Sequence, residues 1–125
     1  MILGIGTDIV EIERVRKSVE RIFFKQKVFT PAEQNYCESR GKQSAASYAA
    51  RFAAKEAVFK ALGTGIFTKL TEVEILNNSQ GKPEIFLHGK AELYAKKIGV
   101  EKIFLTLSHS KDFAIAVALL EVGCQ

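Results

Sequence analysis

The chain has 125 residues, 47% of them apolar and 26% charged, with 18 basic and 14 acidic side chains. That is enough for one hydrophobic core and therefore one domain over residues 1–125. The composition excludes low-complexity, collagen-like and disulfide-dense architectures, and no stretch approaches the roughly 20 apolar residues of a membrane span.

The opening MILGIGTDIVEIERV reaches acids after a few apolar residues and has no basic leader. It does not read as a signal peptide, so the expectation is a cytoplasmic protein with no membrane partner. Cys37 and Cys124 are far apart and in no CxxC pair, which predicts two free thiols. The charge is unevenly placed. The segment from Glu13 to Lys27 holds Arg14, Arg16, Lys17, Arg21, Lys25 and Lys27 against Glu13 and Glu20, and so carries the whole net charge of +4. Such a local field suits an acidic partner; the plainer alternative is a solvated helix face.

In chain order, residues 2–7 (ILGIGT) predict a buried strand in which Gly4 and Gly6 permit close backbone approach. Over 11–25, Ile12, Val15, Val19, Ile22 and Phe23 recur at helical spacing and predict one amphipathic helix. Thr30-Pro31-Ala32-Glu33 is a capping box with proline at the first helical position, so a helix runs from there to about Ser39. Arg40-Gly41-Lys42 breaks it, and an alanine-rich helix follows from Ser44 to Leu62, stopped by Gly63-Thr64-Gly65. Strands are expected at 70–77 and 84–88 around a turn at 79–83, and a short helix at 89–98 closed by Gly99. The hairpin 102–109 and 113–122 ends the chain. The sum is α+β: an antiparallel sheet built from both ends of the chain, with helices packed on one face.

Three side chains stand out. Glu56 and Lys60 lie one turn apart in the 44–62 helix, and at 100° per residue Phe52, Glu56, Phe59 and Gly63 fall within about 60° of one another. An acid on such a face is costly unless paired or bound to a cation; the plain alternative is an i,i+4 Glu–Lys surface pair. Asp8 follows the Gly-x-Gly strand, where it either presents a carboxylate to a ligand or caps the next helix. Magnesium favours one or two carboxylates plus substrate phosphates, which Asp8 and Glu56 would satisfy if they met. His109, between two serines at a strand end, suits a phosphate or a proton; His88 reads as structural. The glycines at 4 and 6 do not complete a dinucleotide fingerprint, because position 9 is isoleucine. A basic nucleic-acid module is the rival reading of the charged segment, but no signature of one is present.

The blocks GIGTDIVEIERV at 4–15, FAAKEAVFKALGTG at 52–65, GKP at 81–83 and LTLSHSKDFAIAVALL at 105–120 resemble the small phosphopantetheinyl transferases of the holo-acyl-carrier-protein synthase type. The resemblance implies that fold and that reaction: coenzyme A donates its 4′-phosphopantetheine arm to a serine of apo-acyl carrier protein, leaving adenosine 3′,5′-bisphosphate, in support of fatty acid biosynthesis. It implies Asp8 and Glu56 as magnesium ligands and Lys60 at the pyrophosphate. Arg51, Gly63, Lys82, Pro83 and His109 fall to coenzyme A. Arg14 and Arg21, with Lys17 and Lys25 beside them, fall to the acidic carrier protein. It also implies a homotrimer with the coenzyme cleft between subunits, and no nucleic-acid partner. Two positions depart from the pattern: Phe59 stands where many relatives have a small residue, often serine, and Gln80 where some have asparagine.

Overall fold

The structure, a computed structural model, describes residues 1–123; Cys124 lies outside the described residues. Strand β1 (Ile2–Glu11) leads into helices α1 (Ile12–Val19), α2 (Ile22–Val28), α3 (Pro31–Glu38) and the long α4 (Ser44–Leu62). A ribbon of β2 (Val73–Asn77) and β3 (Pro83–Leu87) comes next, then α5 (Gly89–Lys97) and the closing hairpin of β4 (Val100–His109) and β5 (Phe113–Val122). The long strands form an antiparallel sheet in the order β1-β5-β4, so both ends of the chain share one sheet, while β2 pairs with β3 in a separate ribbon. The first ribbon strand starts at Val73, after a single 3₁₀ turn at Leu70–Glu72, and not at residue 70.

The sheet lies on α4 through its smallest side chains. Alternation along β1 points Gly4, Gly6, Asp8 and Val10 inward, and along β5 it buries Ala114, Ala116, Ala118 and Leu120 completely. The facing helix contributes Ala53, Ala54 and Ala57, also fully buried. The predicted close approach is real: a Cβ on Gly4 would fall 2.1 Å from the Ala61 carbonyl oxygen, and one on Gly6 2.0 Å from that of Ala57. Gly63 ends α4 in the left-handed region, at φ 80°, where a side chain would be strained.

The single amphipathic helix expected over 11–25 is two helices. Arg21 is extended (φ −88°, ψ 117°) and breaks the run between α1 and α2. The break changes which residues face the core. Val15 of α1 stays buried, but Val28 and Phe29 take over after the turn, with Phe24 packed on Phe29 and Phe52. Ile22 and Phe23, expected on the apolar stripe, are left 52% and 85% exposed. The capping box on α3 forms as predicted: Thr30 Oγ1 accepts from the Glu33 N–H, and the Thr30 N–H donates to Glu33 Oε1.

A buried ion pair ties these layers to the ribbon. Lys55 of α4 donates to Glu33 Oε1 of α3 at 2.8 Å and to the carbonyls of Leu70 and Val73, while Glu33 Oε2 accepts from the Ile75 N–H at 2.8 Å. Both side chains are fully buried, and burial holds the Lys55 ammonium below the usual lysine range. Cys37 is a free, buried thiol whose pKa burial pushes up to about 12.

The far side of the main sheet has no covering layer. Ile5, Ile9, Phe104, Phe113 and Ile115 are 39–64% exposed there, and the register sets Leu119 between Ile5 and Phe104, and Ile9 beside Ile115. No described helix is long and apolar enough to cross a membrane.

Because Gly6 rests on backbone, Gly6→Ala is expected to push β1 off α4 and to destabilise the protein by about 1–3 kcal/mol. Chemical denaturation against the wild type measures this; an unchanged midpoint would contradict the close contact.

Candidate active site

Asp8 is the next inward residue after the two glycines, and this placement decides its role. It sits inside β1, which continues to Glu11, and not beyond the strand as expected; the N-cap of α1 is Glu11, without a side-chain capping bond. The helix-cap reading of Asp8 is thereby removed. Lys60 reaches across from α4, donating to Asp8 Oδ1 and to the Thr7 carbonyl, both at 3.0 Å. It therefore does not spend its charge on the i,i+4 pairing with Glu56 that the sequence left open.

Asp8 and Glu56 line one cleft of about 700 Å³, together with Arg14, Arg21, Phe24 and Phe52. The Glu56 carboxyl is raised above the usual carboxylate range, first by burial and then by the neighbouring Asp8 charge, against the opposing pull of Lys60 and Arg14. Asp8 Oδ2 is buried without a hydrogen-bond partner, a condition that costs on the order of 1–3 kcal/mol or more for a charged group. Two acids close enough to repel, one with an orphaned oxygen, fit a hard cation that takes few protein ligands and completes its shell with water and phosphate. No group of three or more histidine, cysteine or acidic side chains able to hold a metal occurs among the described residues, so a full protein cage for the ion is not present among them.

The remaining coenzyme-side residues lie elsewhere. Arg51, Lys82, Pro83 and His109 line a second cavity of about 610 Å³ with Tyr36 and Asn77. Arg51 and Glu56 are five positions apart on α4, which turns them about 140° apart at 100° per residue. One chain thus carries the acids and these groups on different sides of the same helix. Arg51 is 3% exposed, and His109 is exposed at the end of β4 with Nδ1 3.3 Å from the Ser110 carbonyl oxygen. Gly63 lines neither cavity. His88 lines neither cavity and lies with Nε2 3.0 Å from Glu74 Oε1.

Of the basic segment, Arg14 and Arg21 border the acid cleft. Arg16 is held between Glu13 and Glu20, both already in the count, and Lys25 is bound at 2.9 Å to Glu38 outside the segment, so the field is weaker than +4 implies. Phe59 is fully buried with its ring against Phe67, which makes that position core here, and Gln80 lies exposed in the β2–β3 turn. Tyr36 and Asn77 were not legible as site residues. The i,i+4 spacing of Tyr36 and Arg40 was the one available signal, since it brings a guanidinium to that ring.

The fold and these clefts define a family. The chain belongs to the 4′-phosphopantetheinyl transferase superfamily, which it matches over residues 4–118, and it is an enzyme of that superfamily. Its relatives include the holo-[acyl-carrier-protein] synthase of Clostridium novyi, 50% identical over 98% of this chain and 89% of the relative. Among solved structures, the holo-ACP-synthase of Plasmodium yoelii superimposes with a TM-score of 0.86 at 37% identity, over 99% of this chain and 98% of that one. The holo-(acyl-carrier-protein) synthase of Bacillus anthracis in complex with CoA (3′,5′-ADP) does so with a TM-score of 0.82 at 35% identity, over 98% of this chain and 99% of that one.

The direction of the Glu56 shift fixes a stability prediction. A carboxyl raised in the folded state stabilises that state only while protonated, so its contribution is present below the ordinary carboxylate range and is lost as pH rises through that range to the folded value. Glu56→Gln is therefore expected to melt higher than wild type at pH 7 without divalent cations, the two curves converging under acid conditions. Thermal unfolding over a pH series checks this; a lower melting point for the variant at neutral pH would refute it.

Proposed function

We propose that the chain transfers the 4′-phosphopantetheine arm of coenzyme A to a serine of apo-acyl carrier protein, releasing adenosine 3′,5′-bisphosphate, in the cytoplasm and in support of fatty acid biosynthesis. The observation that carries the reading is the under-neutralised pair Asp8 and Glu56 in one cleft, with Lys60 bonded to Asp8 and the other Asp8 oxygen buried without a partner. Magnesium, held by Asp8 and Glu56, supplies charge neutralisation for the pyrophosphate when bound. Lys60, more than half exposed, orients the same phosphates and stabilises the charge that grows on their oxygens during transfer. Glu56, through a water, accepts the proton of the attacking serine.

Arg14 and Arg21 on the wall of that cleft, with Lys17 and Lys25 further out, steer an acidic carrier protein toward the acids, and salt weakens that encounter. Exposed Ile22 and Phe23 beside them supply apolar area for the same partner. Arg51, Lys82, Pro83 and His109, with Gly63 at the end of α4, serve the nucleotide end of coenzyme A. Their separation from Glu56 around α4 supports a site shared between copies, and the uncovered sheet face supports a homotrimer joined through Ile5, Ile9, Phe104 and Ile115.

Mass spectrometry of apo-acyl carrier protein incubated with the chain, coenzyme A and magnesium is expected to show the gain of one phosphopantetheine group. Asp8→Asn and Glu56→Gln should fold and lose turnover by about a hundredfold or more, and chelation should do the same to wild type; full activity of Glu56→Gln with magnesium would overturn the assignment.

The shared site has its own test. Arg51→Ala and Glu56→Gln chains, each impaired alone, should regain activity when co-expressed, and Ile5→Glu should shift the sedimenting mass to that of a monomer. A wild-type protein that sediments as a monomer and is fully active would overturn it.

A further inference from the structure

Arg51 is 3% exposed, yet no carboxylate pairs with it among the described residues. Its Nη2 donates to Asn77 Oδ1, its Cζ stands 4.3 Å from the centroid of the Tyr36 ring, and its Nε is buried without a partner. A desolvated cation without a counter-charge is costly. Here the surroundings orient the guanidinium without neutralising it. The ring covers its face and a neutral amide takes one edge. The same amide reaches further, since Asn77 Nδ2 donates to the Gly81 carbonyl at 2.8 Å and so ties Arg51 to the turn that carries Lys82. An aspartate at position 77 would have nearly the same shape and would cancel the charge, but it would lose the bond to Gly81.

We infer that Tyr36 and Asn77 are positioning residues: they hold the Arg51 guanidinium uncompensated, with its free edge toward the anionic nucleotide end of coenzyme A, and so set affinity for the donor and not the rate of transfer. This rests on the reading of the cavity given above. The neutrality of Asn77 is the essential point. An acid there would pair with the guanidinium and compete with an anionic ligand for it, which the amide does not. A residue kept to orient a ligand-binding arginine must stay neutral.

Three variants of the full chain test this: Asn77→Asp, Tyr36→Leu and Tyr36→Phe. Each is followed by thermal unfolding without ligand, by calorimetric titration with adenosine 3′,5′-bisphosphate and by steady-state transfer. Asn77→Asp is expected to weaken nucleotide binding and to raise KM for coenzyme A about tenfold. Its kcat and its KM for the carrier protein should stay at wild-type values. Tyr36→Leu should raise the same KM, and Tyr36→Phe, which keeps the ring, should restore it. Wild-type nucleotide affinity in both Asn77→Asp and Tyr36→Leu, or a fall in kcat at constant KM, would overturn the inference while leaving the transferase reading intact. A wild-type chain that neither binds the nucleotide nor transfers the arm would overturn both.

Discussion

The active-site geometry depends on how closely β1 lies against α4. Gly4 and Gly6 occupy the positions where any Cβ would meet helix backbone, and the helix answers with alanines. With the strand at that height, the next inward side chain, Asp8, comes within 3.0 Å of Lys60 and within electrostatic reach of Glu56. A wider gap would leave the aspartate facing packing atoms or solvent. The glycines thus act on chemistry by what they omit: backbone contact along two residues is what brings together acids 48 positions apart in the chain.

The molecule treats its buried charges in two ways. Glu33 and Lys55 are wholly enclosed and generously bonded, to each other and to backbone on two further segments. Asp8 Oδ2 and Arg51 Nε are the buried side-chain atoms left without partners among the described residues. They lie in the two cavities on different sides of α4. Satisfied charge marks structure here, and unsatisfied charge falls on the two residues to which the proposed cation and nucleotide are assigned.

Much of this was readable from residue order. Alternation and caps located α3, α4 and the closing hairpin nearly to the residue, because the Thr30–Glu33 box, Gly63 and the Ser110-Lys111-Asp112 turn are local devices that need no tertiary help. Gly4 and Gly6 announced close approach, but nothing in the sequence said that α4 was the partner. The run at 11–25 misled for a physical reason. Its helical periodicity is genuine, but one extended residue at Arg21 changes the phase, after which Phe24, Val28 and Phe29 serve the core that Ile22 and Phe23 were expected to serve. Asn77 was illegible because its meaning lies in a contact with a helix 26 positions earlier.

The enclosed pair of Glu33 and Lys55 has a consequence for assembly of the fold. A two-stranded ribbon is marginal in water on its own, and this one shares no ladder with the main sheet. Its first strand is fastened instead by Glu33 taking the Ile75 N–H and Lys55 taking the Val73 carbonyl, two charges that tolerate loss of water only in each other's company. The ribbon therefore cannot detach without breaking these bonds to the enclosed pair, so a locally weak element is made to share the cooperativity of the whole domain.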